Sequence, residues 1–222
     1  MISPEGGTGS RHNKFMPRLL PLFPLQLVAF PGSAIPLHIF EERYKLMVGE
    51  AEAAGSEFGI VLARDNGIVN AGCTVVVEKV VERYPDGGFD VVTRGRRRFS
   101  LLSIDQEKEY LRGEVEYFDD DDWEPVTPEL REKALGASRE VRAAHRDEET
   151  DPDPKHPLLS FQLAGTVKDL DFQSTILRSR SEADRLRRFV AFAGEYIPRI
   201  QYATRMKHLT PGNGRGHRPA GI

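Results

Sequence analysis

The amino-acid sequence predicts an α+β protein in which a β-rich barrel precedes a set of helices. Over residues 20–118, short apolar segments alternate with Pro, Gly and Asn turn residues, a pattern typical of β-strands joined by tight connections. After Thr127 the apolar residues recur at helical spacing, beginning with Leu130 and Ala134. Only one helical pattern interrupts the β-rich part. Five or more short strands with one inserted helix indicate a small closed or nearly closed barrel.

The first predicted strands flank a turn at Pro31-Gly32. Proline presets the first central torsion of such a turn, and glycine accepts a positive φ at the second. Pro24, Pro31 and Pro36 mark strand ends, turns or edges, because proline cannot donate to a central ladder. A helix is predicted next over Glu41–Ala54. Its apolar residues are helically spaced at Tyr44, Met47, Val48 and Ala51, and Gly55 suits its C-terminus.

Further strands are predicted after this helix. The apolar and β-branched segments are Glu57–Ala63, Thr74–Tyr84, Phe89–Thr93, Phe99–Ile104 and Tyr110–Phe118. An Asn66-Gly67 pair ends the first of them. Residues 85–88 read Pro-Asp-Gly-Gly and predict a hairpin loop.

An acidic segment, Asp119–Asp122, marks the expected change from strand to helix and is interpreted as a solvated linker. Thr127 is predicted to cap a helix that begins with Pro128. Three further helices are predicted over Leu158–Lys168, Phe172–Arg178 and from Ser181, the last ended or kinked by Pro198. The expected organisation is a disordered tail (1–16), a barrel (17–124), a helical subdomain (125–205) and a flexible basic tail (206–222).

Composition narrows the class of protein. Among 222 residues the formal net charge is −3, which argues against a dedicated polyanion-binding protein. A single cysteine, Cys73, rules out an intramolecular disulfide. No apolar run approaches the roughly 20 residues that span a bilayer, and the N-terminus lacks an apolar signal core. A cytoplasmic protein is expected, whose native start is either Met1 or Met16; its oligomeric state is open.

Motifs for catalysis or cofactor binding are missing from the sequence. The six histidines show no i, i+4 pair, and there is no Cys-x-x-Cys, so no metal site is predicted. There is also no Gly-x-Ser-x-Gly and no Gly-x-x-x-x-Gly-Lys-Ser/Thr. Cys73 is interpreted as a small buried hydrophobe and His38 as a hydrogen-bonded structural residue. We expect no cofactor and no catalytic residue.

One basic cluster stands out, with Arg94, Arg96, Arg97 and Arg98 around Gly95. Such a cluster can bind phosphate or an acidic peptide, which makes Arg94, Arg96 and Arg97 candidate anion-binding residues. The alternative is structural: strand alternation sends the side chains to both faces, Arg98 pairs with a nearby carboxylate, and the others are solvated.

The chain resembles the N-terminal, substrate-binding domain of Lon proteases over residues 17–200. The resemblance rests first on Pro24–Tyr44, which contains Phe-Pro-Gly, Pro-Leu-x-Ile-Phe-Glu and Arg-Tyr. Later matches follow in the family's order. They are Phe58-Gly59-Ile60-Val61-Leu62, Gly72-Cys73, Gly95-x-x-Arg98-Phe99 and Ser181-x-x-x-Arg185-Leu186. The resemblance implies a pseudobarrel similar to PUA-type barrels, followed by a helical bundle.

This resemblance implies recognition of unfolded peptide segments or a protein partner, without ATP hydrolysis or peptide cleavage. Exposed apolar surface and free strand edges are the features expected of a peptide site. The candidate residues are Phe30, Pro31, Pro36, Leu37, Glu41, Arg43 and Tyr44, although Phe30 and Leu37 would alternatively fill the core and Arg43 would bridge helix and barrel. An RNA-binding PUA-like module that uses the arginine cluster is the rival, and an enzyme with an unrecognised site is a third alternative.

Overall fold

The computed structural model describes residues 19–121, 124–145 and 152–209, with side chains described through Met206. The strands in these ranges are β1 (Leu20–Leu25), β2 (Ala34–Ile39), β3 (Phe58–Arg64), β4 (Gly67–Arg83), β5 (Phe89–Asp105) and β6 (Arg112–Phe118). The helices are α1 (Glu42–Ala54), α2 (Pro128–His145), α3 (Leu159–Gly165), α4 (Leu170–Arg178) and α5 (Glu182–Leu209). The predicted α+β class, with one helix inserted in the β-rich part, is confirmed.

The six strands form one sheet that closes on itself. Their order is β2-β5-β4-β3-β1-β6, and β6 pairs with β5 as well. Strands β5, β4, β3, β1 and β6 therefore form a ring, and β2 extends the sheet beside the first half of β5. Strand β1 runs parallel to β3, and helix α1 lies in the long connection that a parallel pair requires. Strands β2, β5 and β4 form a three-stranded wing on this barrel.

The sequence prediction is wrong in dividing β5. The chain continues as one strand through the arginine cluster, from Phe89 to Asp105, and β4 likewise begins earlier than predicted, at Gly67. The first half of β5 pairs with β2 and the second half with β6, while β4 accompanies both halves. Gly95 lies between the part of β5 that pairs with β2, which ends at Arg94, and the part that pairs with β6, which begins at Arg98. A Cβ atom at this position would lie 2.0 Å from the Phe30 carbonyl oxygen, so only glycine fits.

The inside of the barrel is filled by a small apolar cluster built around Phe99. Its buried members are Leu20, Leu22, Val61 and Phe99. Gly59 and Gly72 face this ring, since a Cβ atom would lie 2.8 Å from it at Gly59 and 2.5 Å from it at Gly72. Because Gly59 and Gly72 have no side chains, the Phe99 ring fits inside the barrel.

A second and larger core joins the barrel to the helices. Phe30, in the turn after β1, stacks on Phe161 of α3 with ring centroids 5.3 Å apart. The same buried cluster contains Phe58 of β3 and both Leu186 and Phe189 of α5. The change from strand to helix falls between β6 and α2, yet this larger core contains residues of both parts and continues from one to the other.

The local signals for turns and helix ends mostly act as predicted. Gly32 has a φ of 77°, as the Pro31-Gly32 turn requires. The Thr127 hydroxyl accepts a hydrogen bond from the Leu130 amide, and the Ser181 hydroxyl accepts one from the Asp184 amide. These contacts are the N-terminal caps expected for α2 and α5.

Pro198 does not end the last helix, contrary to one of the predicted alternatives. Helix α5 continues to Leu209 with Pro198 inside it, although this proline removes one backbone hydrogen bond. Residues 206–209, which were expected to belong to a flexible tail, are therefore helical. The expected N-terminal tail and residues 210–222 lie outside the described residues.

Candidate functional site

The outer face of the wing carries a group of aromatic side chains, of which His38 and Phe40 are exposed and Tyr84 is half-buried. Along β2 the side chains alternate, with Ile35, Leu37 and Ile39 buried and Pro36 and His38 exposed. Phe40 follows on the exposed side, and 60% of its surface is accessible. Tyr84 comes directly after β4, which is separated from β2 by β5. We call the surface formed by Pro36, His38, Phe40 and Tyr84 the Phe40 surface.

The His38 ring connects the aromatic members of this surface. It stacks on Phe40 with centroids 5.6 Å apart and meets Tyr84 edge-on at 5.7 Å. Its Nδ1 atom lies 2.6 Å from Oδ1 of Asp90, the residue opposite it on β5. The Tyr84 hydroxyl donates to the other oxygen of Asp90, also at 2.6 Å. Asp90 therefore fixes the orientation of two rings, in agreement with the hydrogen-bonded role predicted for His38.

The charge states on this surface follow from these contacts. The hydrogen bonds from Tyr84 and His38 lower the pKa of Asp90, which stays ionised at neutral pH. The Asp90 carboxylate, followed by desolvation, raises the pKa of Tyr84 to about 12, so the phenol keeps its proton and acts as a donor. The surface thus combines the exposed apolar ring of Phe40 with the negative charge of Asp90.

Three of the candidate peptide-binding residues lie in the core, and their assignment is corrected here. Phe30, Leu37 and Tyr44 are each less than 9% exposed. Phe30 stacks on Phe161, and Tyr44 packs on Phe23 with centroids 4.1 Å apart. Side chains that are enclosed in this way stabilise the fold and offer a ligand no accessible surface. The alternative considered for Phe30 and Leu37, that they fill the core, agrees with this geometry.

The other candidates lie at or near the surface. Pro36 is exposed and belongs to the Phe40 surface, whereas Pro31 is half-buried in its turn. Glu41 and Arg43 are exposed at the start of α1 and pair with each other at 2.7 Å. The Arg43 guanidinium also lies 4.6 Å from the centre of the Tyr44 ring. Arg43 thus contacts residues at the start of its own helix, and no hydrogen bond or ion pair joins it to the barrel strands in the described part of the chain.

Sequence reasoning missed Phe40 and Tyr84 as surface residues. The signal for Phe40 was available, because strand alternation that buries Leu37 and Ile39 must expose His38 and Phe40. The position of Tyr84 beside His38 could not be predicted from strand alternation. Tyr84 reaches the surface because β5 pairs with both β2 and β4, which is a property of the assembled sheet.

The arginine cluster is largely neutralised by neighbouring carboxylates. Arg94 forms two hydrogen bonds with Glu78, of 2.9 and 2.8 Å, and Arg97 contacts Glu57 at 3.0 Å. Arg97 also lies 3.9 Å from the centre of the Tyr117 ring. Arg96 is exposed and, within the described ranges, forms no hydrogen bond or close ion pair with a carboxylate, although its charge contributes to lowering the pKa of Glu78. A concentrated positive surface, such as phosphate contacts need, is therefore not formed by these side chains.

Arg98 points into the protein and ties the barrel to the helices. Its Nη2 atom donates to Asp120 at 2.5 Å, and its Nη1 atom donates to the Leu177 and Ser179 carbonyl oxygens. Arg185 of α5 binds the same carboxylate through two hydrogen bonds, of 2.7 and 2.6 Å. The expectation of a solvated acidic linker is therefore wrong for Asp120, whose side chain is only 17% exposed because two arginines surround it.

The described residues hold no cluster of three or more potential metal-ligating side chains. Cys73 is fully buried, and burial raises the pKa of its thiol to about 12, so it is not an activated nucleophile. An open groove of about 490 Å³ lies between α4 and α5, lined by arginine, aspartate and hydroxyl side chains. Its acids pair with its arginines, as in the contact of 2.6 Å between Asp184 and Arg188.

The fold and this surface define a class: a closed β-barrel with an attached helical bundle and an exposed aromatic surface on its wing. Residues 19–192 match the model of the substrate-binding domain of the ATP-dependent protease La (Lon). Because this match covers most of the chain, the protein belongs to the Lon substrate-binding domain family. None of the helices in the described ranges has the length and apolar character needed to cross a membrane.

Individual relatives agree with this family. The chain is 28% identical over 110 residues to the Lon protease of Parabacteroides distasonis and 26% identical over 125 residues to that of Flavobacterium johnsoniae. These alignments cover 46% and 52% of the chain but only 13% and 15% of the two proteases. The chain therefore corresponds to a small part of the curated relatives that it matches.

Solved structures show the same fold. The Lon N-terminal domain protein from Xanthomonas campestris superposes with a TM-score of 0.64 at 26% sequence identity, over 78% of this chain and 97% of that one. The N-terminal domain of Mycobacterium avium complex Lon protease superposes with a TM-score of 0.57 at 17% identity, over 81% of this chain and 100% of that one.

Proposed function

We propose that this protein binds unfolded or extended polypeptide segments through the Phe40 surface. The observation that carries the proposal is the 60% exposure of Phe40, which sits on a rigid strand end and stacks on His38. Exposed aromatic groups that are held in fixed orientations are the usual anchors of protein recognition. Membership in a family described as substrate-binding supports the same function.

An aromatic side chain that is covered by a ligand contributes about 1.5–3 kcal/mol from the apolar area removed from water. Unfolded chains expose apolar side chains that folded proteins bury, so this surface discriminates in favour of unfolded segments. Strand β2 is also paired on one side only among the described strands, and an extended peptide can add to such an edge through backbone hydrogen bonds.

We further propose that binding occurs without ATP hydrolysis or peptide cleavage by this chain. The 222-residue sequence has no phosphate-binding glycine loop followed by Lys and Ser or Thr. Its one cysteine is buried with a raised pKa. Two assays bear on this proposal, namely ATP turnover and cleavage of an unfolded substrate by the purified protein. Activity that co-purifies with the protein would contradict it.

The binding proposal is tested with a dye-labelled, permanently unfolded polypeptide, whose affinity is measured by fluorescence anisotropy. Phe40→Ala should weaken binding about tenfold, which corresponds to about 1.4 kcal/mol of lost contact. Leu102→Ala is the matched control, because Leu102 is 58% exposed on β5 outside the Phe40 surface, and its removal should leave affinity unchanged. Equal affinities for the parent protein and Phe40→Ala would overturn the proposal.

A further inference from the structure

The rings of the Phe40 surface differ from six other aromatic rings of this protein, each of which has a basic side chain over its face. The chain places its own Arg or Lys side chains over Tyr44, Phe89, Tyr110, Tyr117, Phe118 and Phe161. No Lys or Arg side chain from the described residues lies over Phe40 or Tyr84, whose ring neighbour is His38. Because an aromatic face attracts a positive charge, these two rings retain an unused capacity to bind one.

Negative charge next to these rings also lacks a Lys or Arg counter-charge from the described residues. Glu82, Asp90 and His38 occupy directly opposite positions on β4, β5 and β2, so the two carboxylates face each other across one strand pair. Like charges at opposite positions of a sheet repel each other. Neither carboxylate has an Lys or Arg partner among the described residues, and the neighbouring Arg83 pairs with Glu52 instead.

The Tyr84 hydroxyl only partly relieves this repulsion. It lies 2.6 Å from Asp90 and 3.3 Å from Glu82. A phenol has one proton and can donate to only one of these carboxylates at a time. His38 contacts Asp90 through Nδ1 and does not reach Glu82. The surface therefore presents the exposed His38 and Phe40 rings and the half-buried Tyr84 ring beside two carboxylates. These carboxylates have no Lys or Arg partner among the described residues, and the His38 ring that pairs with Asp90 is positive only when it is protonated.

We propose that the Phe40 surface selects extended polypeptide segments in which a lysine or arginine accompanies an apolar side chain. The apolar side chain covers Phe40, and the cationic group lies between the aromatic rings and the carboxylates of Glu82 and Asp90. This inference rests on the proposed function, since it specifies the sequence of the segment that the same surface binds. Charge complementarity favours this occupant over an acidic or neutral segment.

The test uses two nonapeptides that carry the same neutral dye and differ at one position. Both contain a phenylalanine, followed by lysine in one peptide and by glutamine in the other. The lysine peptide should bind about tenfold more tightly, from a cation–π contact and an exposed ion pair together. This preference should decrease as the salt concentration rises, because both charges are solvent-accessible.

Variants locate the origin of the preference. Glu82→Gln should reduce the lysine preference to about threefold, while Glu116→Gln, at another exposed strand position, should leave it at about tenfold. Phe40→Ala should weaken the binding of both peptides. A preference that persists unchanged in the double variant Glu82→Gln/Asp90→Asn would overturn the inference.

The remaining outcomes separate the inference from the proposed function. Equal binding of the two peptides, with both weakened by Phe40→Ala, would contradict the cation selectivity and leave polypeptide binding at this surface intact. Absence of binding by either peptide, together with no binding of the unfolded polypeptide, would overturn both proposals.

Discussion

Arg98 and Arg185 bind the same oxygen of one carboxylate, although one belongs to a barrel strand and the other to the last helix. Oδ1 of Asp120 accepts hydrogen bonds from Arg98 at 2.5 Å and from Arg185 at 2.7 Å. Arg185 also contacts Glu182 at 2.7 Å and Ser160 at 2.7 Å. The two sequence motifs that contain these arginines therefore meet in space, and Asp120 supplies the charge that lets both remain buried.

Asp120→Asn should destabilise the protein by about 3–5 kcal/mol, because it leaves two buried guanidinium groups without their shared counter-charge. Urea unfolding followed by circular dichroism measures this difference. The neighbouring exposed residue provides the control, and Asp119→Asn should change stability by less than about 0.5 kcal/mol. A mild effect of Asp120→Asn would show that the network does not join the two parts of the fold.

The same carboxylate gives a prediction for pH. Burial opposes its ionisation, but the hydrogen bonds and charges of Arg185 and Arg98 outweigh burial and lower the pKa of Asp120. A lowered pKa stabilises the folded state above the unfolded value of about 3.9, and this contribution disappears as pH falls through the folded pKa. The stability difference between the parent protein and Asp120→Asn should therefore be constant near neutral pH and shrink below about pH 4.

Gly32→Val should destabilise the protein by about 1–3 kcal/mol through backbone strain alone. Gly32 has a φ of 77°, yet no atom lies within 4 Å of an added Cβ, so steric overlap does not contribute. Gly194→Val in helix α5 meets equally open space without a positive φ and should be nearly neutral. Thermal unfolding of both variants tests the turn, and equal melting temperatures would refute its assignment.

Gly59→Ala should destabilise the barrel by about 1–3 kcal/mol, because the new methyl group overlaps the Phe99 and Leu20 side chains. Phe99→Leu leaves space at the same place. In the double variant the two costs should therefore be less than additive, with a coupling of about 0.5–3 kcal/mol. Additive free energies of unfolding would show that Gly59 does not face Phe99 in solution.

The helical part should not fold without the barrel. Its apolar side chains share one core with the barrel, as the stacking of Phe30 on Phe161 shows, and short isolated helices are marginally stable in water. A fragment of residues 127–205 should therefore unfold without a cooperative transition in a calorimetric scan. A sharp transition would identify it as an autonomous domain.

Replacing Arg94, Arg96 and Arg97 together by glutamine should leave peptide binding nearly unchanged. Arg94 and Arg97 are paired with Glu78 and Glu57, and none of the three arginines belongs to the Phe40 surface. Single-stranded RNA should bind only at low salt. Four phosphate contacts would make the logarithm of the RNA affinity fall against the logarithm of salt concentration with a slope near −3. Tight RNA binding at physiological salt that the triple variant abolishes would instead favour nucleic-acid recognition.

Local sequence signals determined the order of elements in this protein. Proline and glycine placed the first turn, a helical repeat placed α1 with Gly55 at its C-terminus, and Thr127 placed the start of α2. These features depend on a few neighbouring residues, whose torsional preferences act in almost any context. They were sufficient to predict the α+β class and a barrel with one inserted helix.

Contacts between distant segments were decided only by the tertiary structure. The length of β5 depends on its successive pairing with β2 and β6, and the buried state of Asp120 depends on Arg98 and Arg185. The Phe40 surface likewise exists because three strands bring His38, Asp90 and Tyr84 together. Register and burial are set by partners far along the chain, so a local pattern carries no information about them.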